Sequence, residues 1–160
     1  MEGKEKGDMK KVLVVGSLNM DMVLSVDHHP VPGETIIGDG ITYHPGGKGA
    51  NQAYAVGKLG GDVRIIGCVG WDNNGMILTE NLAQAGVDTT AINRMPEAPT
   101  GMAIIDVDKK GDNSIIVISG ANACLTPDLL RKQKASVEWS DFIMTQLETP
   151  IDTVLELARM

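Results

Sequence analysis

Asn19 and Asp21 stand two residues apart in Gly16-Ser17-Leu18-Asn19-Met20-Asp21. In an extended chain both therefore point to one side and Met20 to the other. A carboxylate accepts two hydrogen bonds and an amide both donates and accepts, a combination suited to vicinal hydroxyls. The same two residues could instead close a turn through bonds to the local backbone. Gly46-Gly47-Lys48-Gly49-Ala50-Asn51 offers a second kind of chemistry. It sets small residues at a predicted helix start, where free N–H groups and the helix dipole favour an oxygen-rich ligand and the glycines admit close approach. Lys48 could equally be a solvated side chain on a glycine-rich turn. The run is not a Walker A loop, because Gly49 stands where Ser or Thr is required, and it is not a G-x-G-x-x-G dinucleotide fingerprint. Glu148, just past a predicted strand, is the third polar group; by itself it reads as a surface carboxylate.

Other chemistries find no support. His28, His29 and His44 have no spacing that suggests zinc, and no Ser, His and Asp set forms a triad, so the histidines are expected in loops. The nine methionines are expected as core filler. Cys68 and Cys124 match no metal motif and are expected as buried, reduced thiols.

The elements that must position these groups are legible from periodicity and punctuation. Lys11 to Gly16 is a short aliphatic run ended by glycine, a buried central strand. A polar stretch follows to Pro32, then a glycine-interrupted, edge-like β segment over Glu34 to Tyr43. A helix is predicted from the glycine run to about Leu59, where Gly60-Gly61 stops it. Val63 to Val69 is the next buried strand, and Leu78, Leu82 and Ala85 mark a helix that ends at Gly86. Thr100 to Asp108 and Asn113 to Ser119 form a hairpin through Lys109-Lys110-Gly111-Asp112. Thr126-Pro127 caps a helix to about Val137, Asp141 to Thr145 is a strand, and Thr149-Pro150 caps a last amphipathic helix. This rhythm implies an α/β fold with a parallel, doubly wound sheet and a small antiparallel excursion over about 34–45 and 100–119. In such sheets ligands bind beyond the carboxyl ends of the strands, which is where Asn19, Asp21 and Glu148 fall. The chain stops inside the last helix without a terminating signal or a following strand, so the sequence is expected to be truncated.

Composition narrows the partners. The 160 residues are 42% hydrophobic but only 3% aromatic, so one domain with an aliphatic core is expected and base-stacking platforms are scarce. A net charge of -7 without a basic cluster argues against nucleic acid. The charged first residues lack a secretory apolar stretch and no run approaches ~18 apolar residues, which argues against a membrane and for the cytoplasm. Residues 1–10 are expected as a disordered tail.

Taken in order, Gly16-Ser17-Leu18-Asn19-Met20-Asp21, Pro32-Gly33-Glu34-Thr35 and Gly46-Gly47-Lys48-Gly49-Ala50-Asn51-Gln52-Ala53 resemble the N-terminal signature of the ribokinases, within the phosphofructokinase-B-type carbohydrate kinases. Thr100-Gly101-Met102-Ala103, Gly120-Ala121-Asn122 and Gln146-Leu147-Glu148 extend the resemblance over nearly all of the chain after Lys11. The resemblance implies an α/β/α domain with a small β-sheet lid that also makes a homodimer. It implies ATP-dependent phosphorylation of D-ribose with Mg2+, and a monovalent cation such as K+. Carried over residue by residue, it implies that Asn19, Asp21, Gly47, Lys48, Gly49, Ala50, Asn51 and Glu148 bind the sugar hydroxyls, with Ala103 and Val117 of the lid packing on the sugar.

The departure from the family is equally definite. The Gly-Ala-Gly-Asp segment that supplies the family's base and anion hole does not occur in these 160 residues. The chain is therefore expected to be the sugar-binding half of such a kinase, inactive alone. A short form that binds sugar or dimerises without catalysis, and a kinase for another sugar or a nucleoside, are the alternative readings. Truncation would expose sheet edges and helix-packing faces, so poor solubility of the chain is expected.

Overall fold

The computed structural model describes residues 9–160; eight of the ten residues expected as a tail lie outside the described residues. Met9 and Lys10 precede the first strand without regular structure. The main sheet contains β1 (Lys11–Val15), β4 (Asp62–Gly70), β5 (Ile92–Met95) and β8 (Phe142–Thr145), ordered β5-β4-β1-β8 and parallel throughout. Alternate side chains of β1 and β4 enter opposite faces, as the period of a strand requires. Val14, Val63, Ile65 and Val69 pack with Leu78 and Leu82 on one face; Leu13, Val15, Ile66 and Cys68 pack with Leu125, Leu130 and Leu157 on the other. The first face is covered by α1 (Lys48–Lys58) and α2 (Asn73–Gln84). The second is covered by the 3-10 turn Gly120–Cys124, α3 (Pro127–Lys132), α4 (Lys134–Trp139) and α5 (Ile151–Leu157). A sheet of near-continuous aliphatic runs covered on both sides is the stable arrangement for all-parallel strands.

A second sheet stands off the carboxyl ends of the first. It contains β2 (Asn19–Ser25), β3 (Gly40–Gly46), β6 (Gly101–Val107) and β7 (Asn113–Ile118), ordered β3-β2-β6-β7. We call it the lid. The predicted hairpin is its β6–β7 pair, closed by Asp108, whose Oδ1 accepts from the backbone of Lys110 (2.8 Å) and Asp112 (3.0 Å). Four expectations need correction here. The stretch from Ser17 toward Pro32 is not merely polar loop: β2 is the lid's second strand, its polar Asn19 and Asp21 alternating with Met20 and Met22. Pairing of the expected 34–45 segment starts only at Gly40, and the lid is mixed rather than antiparallel, because β2 runs parallel to β6. His44 consequently lies on β3, not in a loop, while His28 and His29 precede β3 in one.

Smaller departures follow from local geometry. The helix expected over 127–137 breaks at Gln133, which ends α3 and begins α4, and Ser136 of α4 meets the guanidinium of Arg64 at 3.1 Å. Thr126 caps α3 as expected, accepting from the N–H of Leu129. Thr149 caps nothing: α5 starts one residue later, with Pro150 at the cap position, and Thr149 Oγ1 is buried without a partner among the described residues. Cys68 is buried, which pushes its thiol up to about 12, whereas Cys124 is only partly buried. Among the described residues no helix is long and apolar enough to cross a membrane.

The joint between sheet and lid rests on Asp72. Its carboxylate caps α2 at the N–H of Gly75 (2.8 Å) and accepts from Thr100 through the backbone N–H (2.7 Å) and the hydroxyl (2.6 Å), just before β6 begins. Burial acts to raise its pKa, but the bonds from Thr100, Gly75 and Asn74 outweigh it and the value is lowered. A lowered folded-state pKa contributes stability that is present above the usual carboxylate range and lost as pH falls through the lowered value. Asp72→Ala is expected to cost about 2 kcal/mol at neutral pH, the upper range for a lost helix cap. The thermal midpoint should drop by about 4–8 °C in calorimetry, and the difference from the parent should shrink in strong acid.

Candidate functional site

In sequence order the chain passes from β1 through the lid to β4 and β5 on one side, then returns to β8 on the other side of β1. β1 is therefore the switch point, and the crevice beyond its carboxyl end is where an open α/β sheet takes its ligand. Three segments converge there. The β1–β2 connection brings Ser17 and then Asn19, the chain beyond β8 brings Glu148, and the start of α1 brings Gly47 and Lys48. The resulting cleft has a volume of about 320 Å³ and is lined below by Gly47, Lys48, Asn51 and Glu148 and, on the lid's own strand β2, by Asn19 and Asp21. Ala103, Ile105, Ile115 and Val117 roof it from the lid.

Eight of the residues singled out from sequence thus meet in one cavity, and two do not line it. Gly49 and Ala50 are buried beneath it. The Ala50 N–H donates to the Ser17 carbonyl at 2.9 Å. A Cβ on Gly49 would lie 2.7 Å from the carbonyl carbon of Gly16 and from the nitrogen of Ser17. Their place is to seat the first turn of α1 against the β1–β2 connection.

The polar floor has a definite charge arrangement. Glu148 accepts from the Ser17 hydroxyl at 2.7 Å and from the Lys48 backbone at 3.4 Å, and its other oxygen is ion-paired with the Lys48 ammonium. Burial would raise its pKa, but the contacts with Lys48 and Ser17 prevail and hold the carboxyl below its ordinary value. Asp21 differs. Among the described residues its carboxylate accepts no hydrogen bond, and its pKa is raised, first by burial and then by the charge of Glu148, with His44 across the β2–β3 ladder acting in the opposite sense. A desolvated carboxylate with no partner leaves its hydrogen-bonding capacity free for a ligand. Asn19, nearly buried, receives a 2.8 Å bond at Oδ1 from Asn122.

Sequence reasoning missed Ser17, Asn122, Ile105 and Ile115. The two isoleucines were within reach: they stand two residues from Ala103 and from Val117 on the same hairpin, so strand periodicity alone puts them on the same face. Ser17 carried a weaker signal, a hydroxyl at a strand's carboxyl end. Asn122 carried none beyond its motif, since its partners are more than 100 residues away in sequence.

A resident Mg2+ finds no fitting cluster among the described residues. Among the described residues no three His, Cys, Asp or Glu side chains cluster to hold a metal ion, and the glycine-rich turn at the start of α1 faces Glu148 and the Asn19 backbone.

The arrangement is matched by known proteins. Residues 9–158 match the pfkB family of carbohydrate kinases. The ribokinase of Haemophilus influenzae is 46% identical over 151 residues, covering 94% of this chain and 49% of the relative. Among solved structures, ribokinase from Thermotoga maritima superposes with a TM-score of 0.86 at 42% identity, covering 94% of this chain and 49% of that one. Ribokinase from Arabidopsis thaliana, solved with ribose and ATP, superposes with a TM-score of 0.82 at 29% identity, covering 94% of this chain and 51% of that one. The chain spans about half the length of the curated relatives it matches.

Proposed function

The chain belongs to the pfkB family of carbohydrate kinases, and from that premise we propose that it is the sugar-binding half of an enzyme that phosphorylates D-ribose with ATP, giving ribose 5-phosphate. The observation that carries this reading is Asp21. It is a partly buried carboxylate without a protein partner among the described residues, two residues from Asn19 on β2 and facing the cleft. Sugar hydroxyls supply the donors it lacks, and the apolar roof of Ala103 and Val117 suits a furanose or pyranose face. A site made of paired polar groups discriminates strongly against analogues that lack a hydroxyl, because the protein groups are then left buried and unpaired.

Within this half the residues bind and orient. Asp21 and Glu148 accept from hydroxyls, Asn19 and Asn51 fix the ring, and Gly47 lets the sugar approach the start of α1. The positions for ATP, Mg2+ and a monovalent cation such as K+, and the base that takes the hydroxyl proton, belong to residues outside these 160. The purified chain should therefore bind D-ribose yet release no ADP above background when ATP, Mg2+ and ribose are supplied together. Ribose-dependent ADP formation would overturn the division of labour, and absence of ribose binding would overturn the sugar assignment itself.

The same reading takes the lid as a homodimer contact in the cytoplasm. It is supported by the lid face turned away from the cleft, where Ile116 and Ile118 of edge strand β7 and Ile41 and Tyr43 of the opposite edge strand β3 are all exposed. Apolar surface of this kind is typical of an interaction face. Sedimentation velocity should give a dimer, and Ile116→Asp a monomer with its fold retained; a parent that sediments as a monomer at high micromolar concentration would contradict the contact.

A further inference from the structure

We propose that Asn122 is a positioning residue that turns Asn19 into a dedicated hydrogen-bond donor for the ligand; the inference rests on the cleft being the sugar site. Asn122 lies in the 3-10 turn beyond the lid hairpin and is 1% exposed. Its Oδ1 accepts from the backbone N–H of Leu18 at 2.9 Å, and its Nδ2 donates to the carbonyl of Leu18 at 3.1 Å. A backbone N–H can only donate and a carbonyl can only accept, so these two bonds leave Asn122 a single amide orientation. The second proton of Nδ2 then points at Asn19, 2.8 Å away, and the atom that receives it must be Oδ1. Asn19 is thereby turned so that its NH2 group faces the cleft, where it has no acceptor among the described residues.

The consequence is a fixed polarity. A free asparagine presents donor or acceptor according to what it meets, whereas Asn19 can only donate, to a lone pair of a sugar oxygen. Asp21 beside it can only accept when ionised. One hydroxyl that bridges the two must donate to Asp21 and accept from Asn19, so an ether or a keto oxygen at that position loses the bond to Asp21. Gly101 is an independent sign that the relay needs its space: it pairs with Asn19 in the β2–β6 ladder, and a Cβ there would overlap both Asn122 Nδ2 and Asn19 Oδ1.

Two measurements test the relay. In the ligand-free protein, side-chain amide proton exchange followed by NMR should be slow for Asn122 and fast for Asn19; a protected Asn19 NH2 with a freely exchanging Asn122 would overturn the inference whether or not ribose binds. The second is a double-mutant cycle on D-ribose affinity. Asn122→Asp, in its protonated form, still accepts from the Leu18 N–H and donates to the Leu18 carbonyl, but puts an oxygen lone pair opposite Asn19, which then turns its NH2 inward and shows its carbonyl to the sugar. The expected loss is about tenfold. Asn19→Ala should lose a similar factor, and the double variant should be no weaker than Asn19→Ala alone, the signature of two residues acting through one bond. Losses that multiply would mean that Asn122 only braces the fold. A parent that binds no ribose defeats the sugar assignment, and the exchange measurement then still decides the relay.

Discussion

Asp21→Ala is expected to weaken D-ribose binding about 100-fold or more, the equivalent of losing two charge-assisted hydrogen bonds at about 1.5–3 kcal/mol each. The ligand-free protein should become no less stable. Asp21 has a raised folded-state pKa, so between the ordinary carboxylate value and the raised one the native state holds a proton that the unfolded chain has already released, and stability falls as pH rises through that window. Removing the carboxylate lifts that penalty near neutral pH. The same shift sets a pH dependence for binding: only the ionised form accepts from two hydroxyls, so affinity should fall with acidification, beginning at a higher pH than an ordinary aspartate would give. Calorimetric titrations of the parent and the variant from the ordinary aspartate pKa, about 3.9, up to neutral pH read both effects. A variant that binds like the parent, or is much less stable, would contradict this role.

Gly47→Ala should be severely damaging. Gly47 precedes α1 with φ 92° and ψ 135°, a conformation open to glycine and closed to other L residues. An added Cβ would also lie 2.7 Å from the nitrogen of Asn19, 2.8 Å from the carbonyl oxygen of Ser17 and 2.9 Å from the Cα of Leu18. All three are backbone atoms, so no side chain can turn aside. Backbone strain of this kind costs about 1–3 kcal/mol, and the overlap adds to it. Against a typical domain stability of about 5–15 kcal/mol the variant should be marginal. Urea denaturation followed by circular dichroism should show a midpoint far below that of the parent, with ribose binding lost. A midpoint close to the parent's would mean that the loop yields easily and does not fix the floor of the cleft.

The sequence exposed β1, β4 and β8 of the main sheet well because they are apolar runs, and β1 and β4 are largely buried on both faces. It exposed β2 poorly. Asn19 and Asp21 alternate correctly with Met20 and Met22, but polar residues on one face of a seven-residue strand read as loop until the partners β3 and β6 supply the register. The short β5, with Asn93 and Arg94 between Ile92 and Met95, carried too brief an apolar signal to read as a strand. For the cleft, the groups at strand ends and at the glycine-rich helix start were legible, because the carboxyl edge of an α/β sheet is where ligands bind. Gly49 and Ala50 show the limit: their place in a glycine-rich motif suggested ligand contact, and the structure turns them inward against Gly16 and Ser17. Asn122 was invisible and Ser17 only faintly marked for the opposite reason, since each matters through a hydrogen bond to a residue more than 100 positions away.

The most direct measurement is an NMR titration of the chain with D-ribose, following backbone and side-chain amides. The account predicts saturable shifts concentrated on Asn19, Asp21, Gly47, Lys48, Asn51 and Glu148, with smaller ones on Ala103 and Val117 of the lid. No saturable shift, or shifts centred elsewhere, for example on the groove lined by His44, Tyr54 and Asn81, would contradict it.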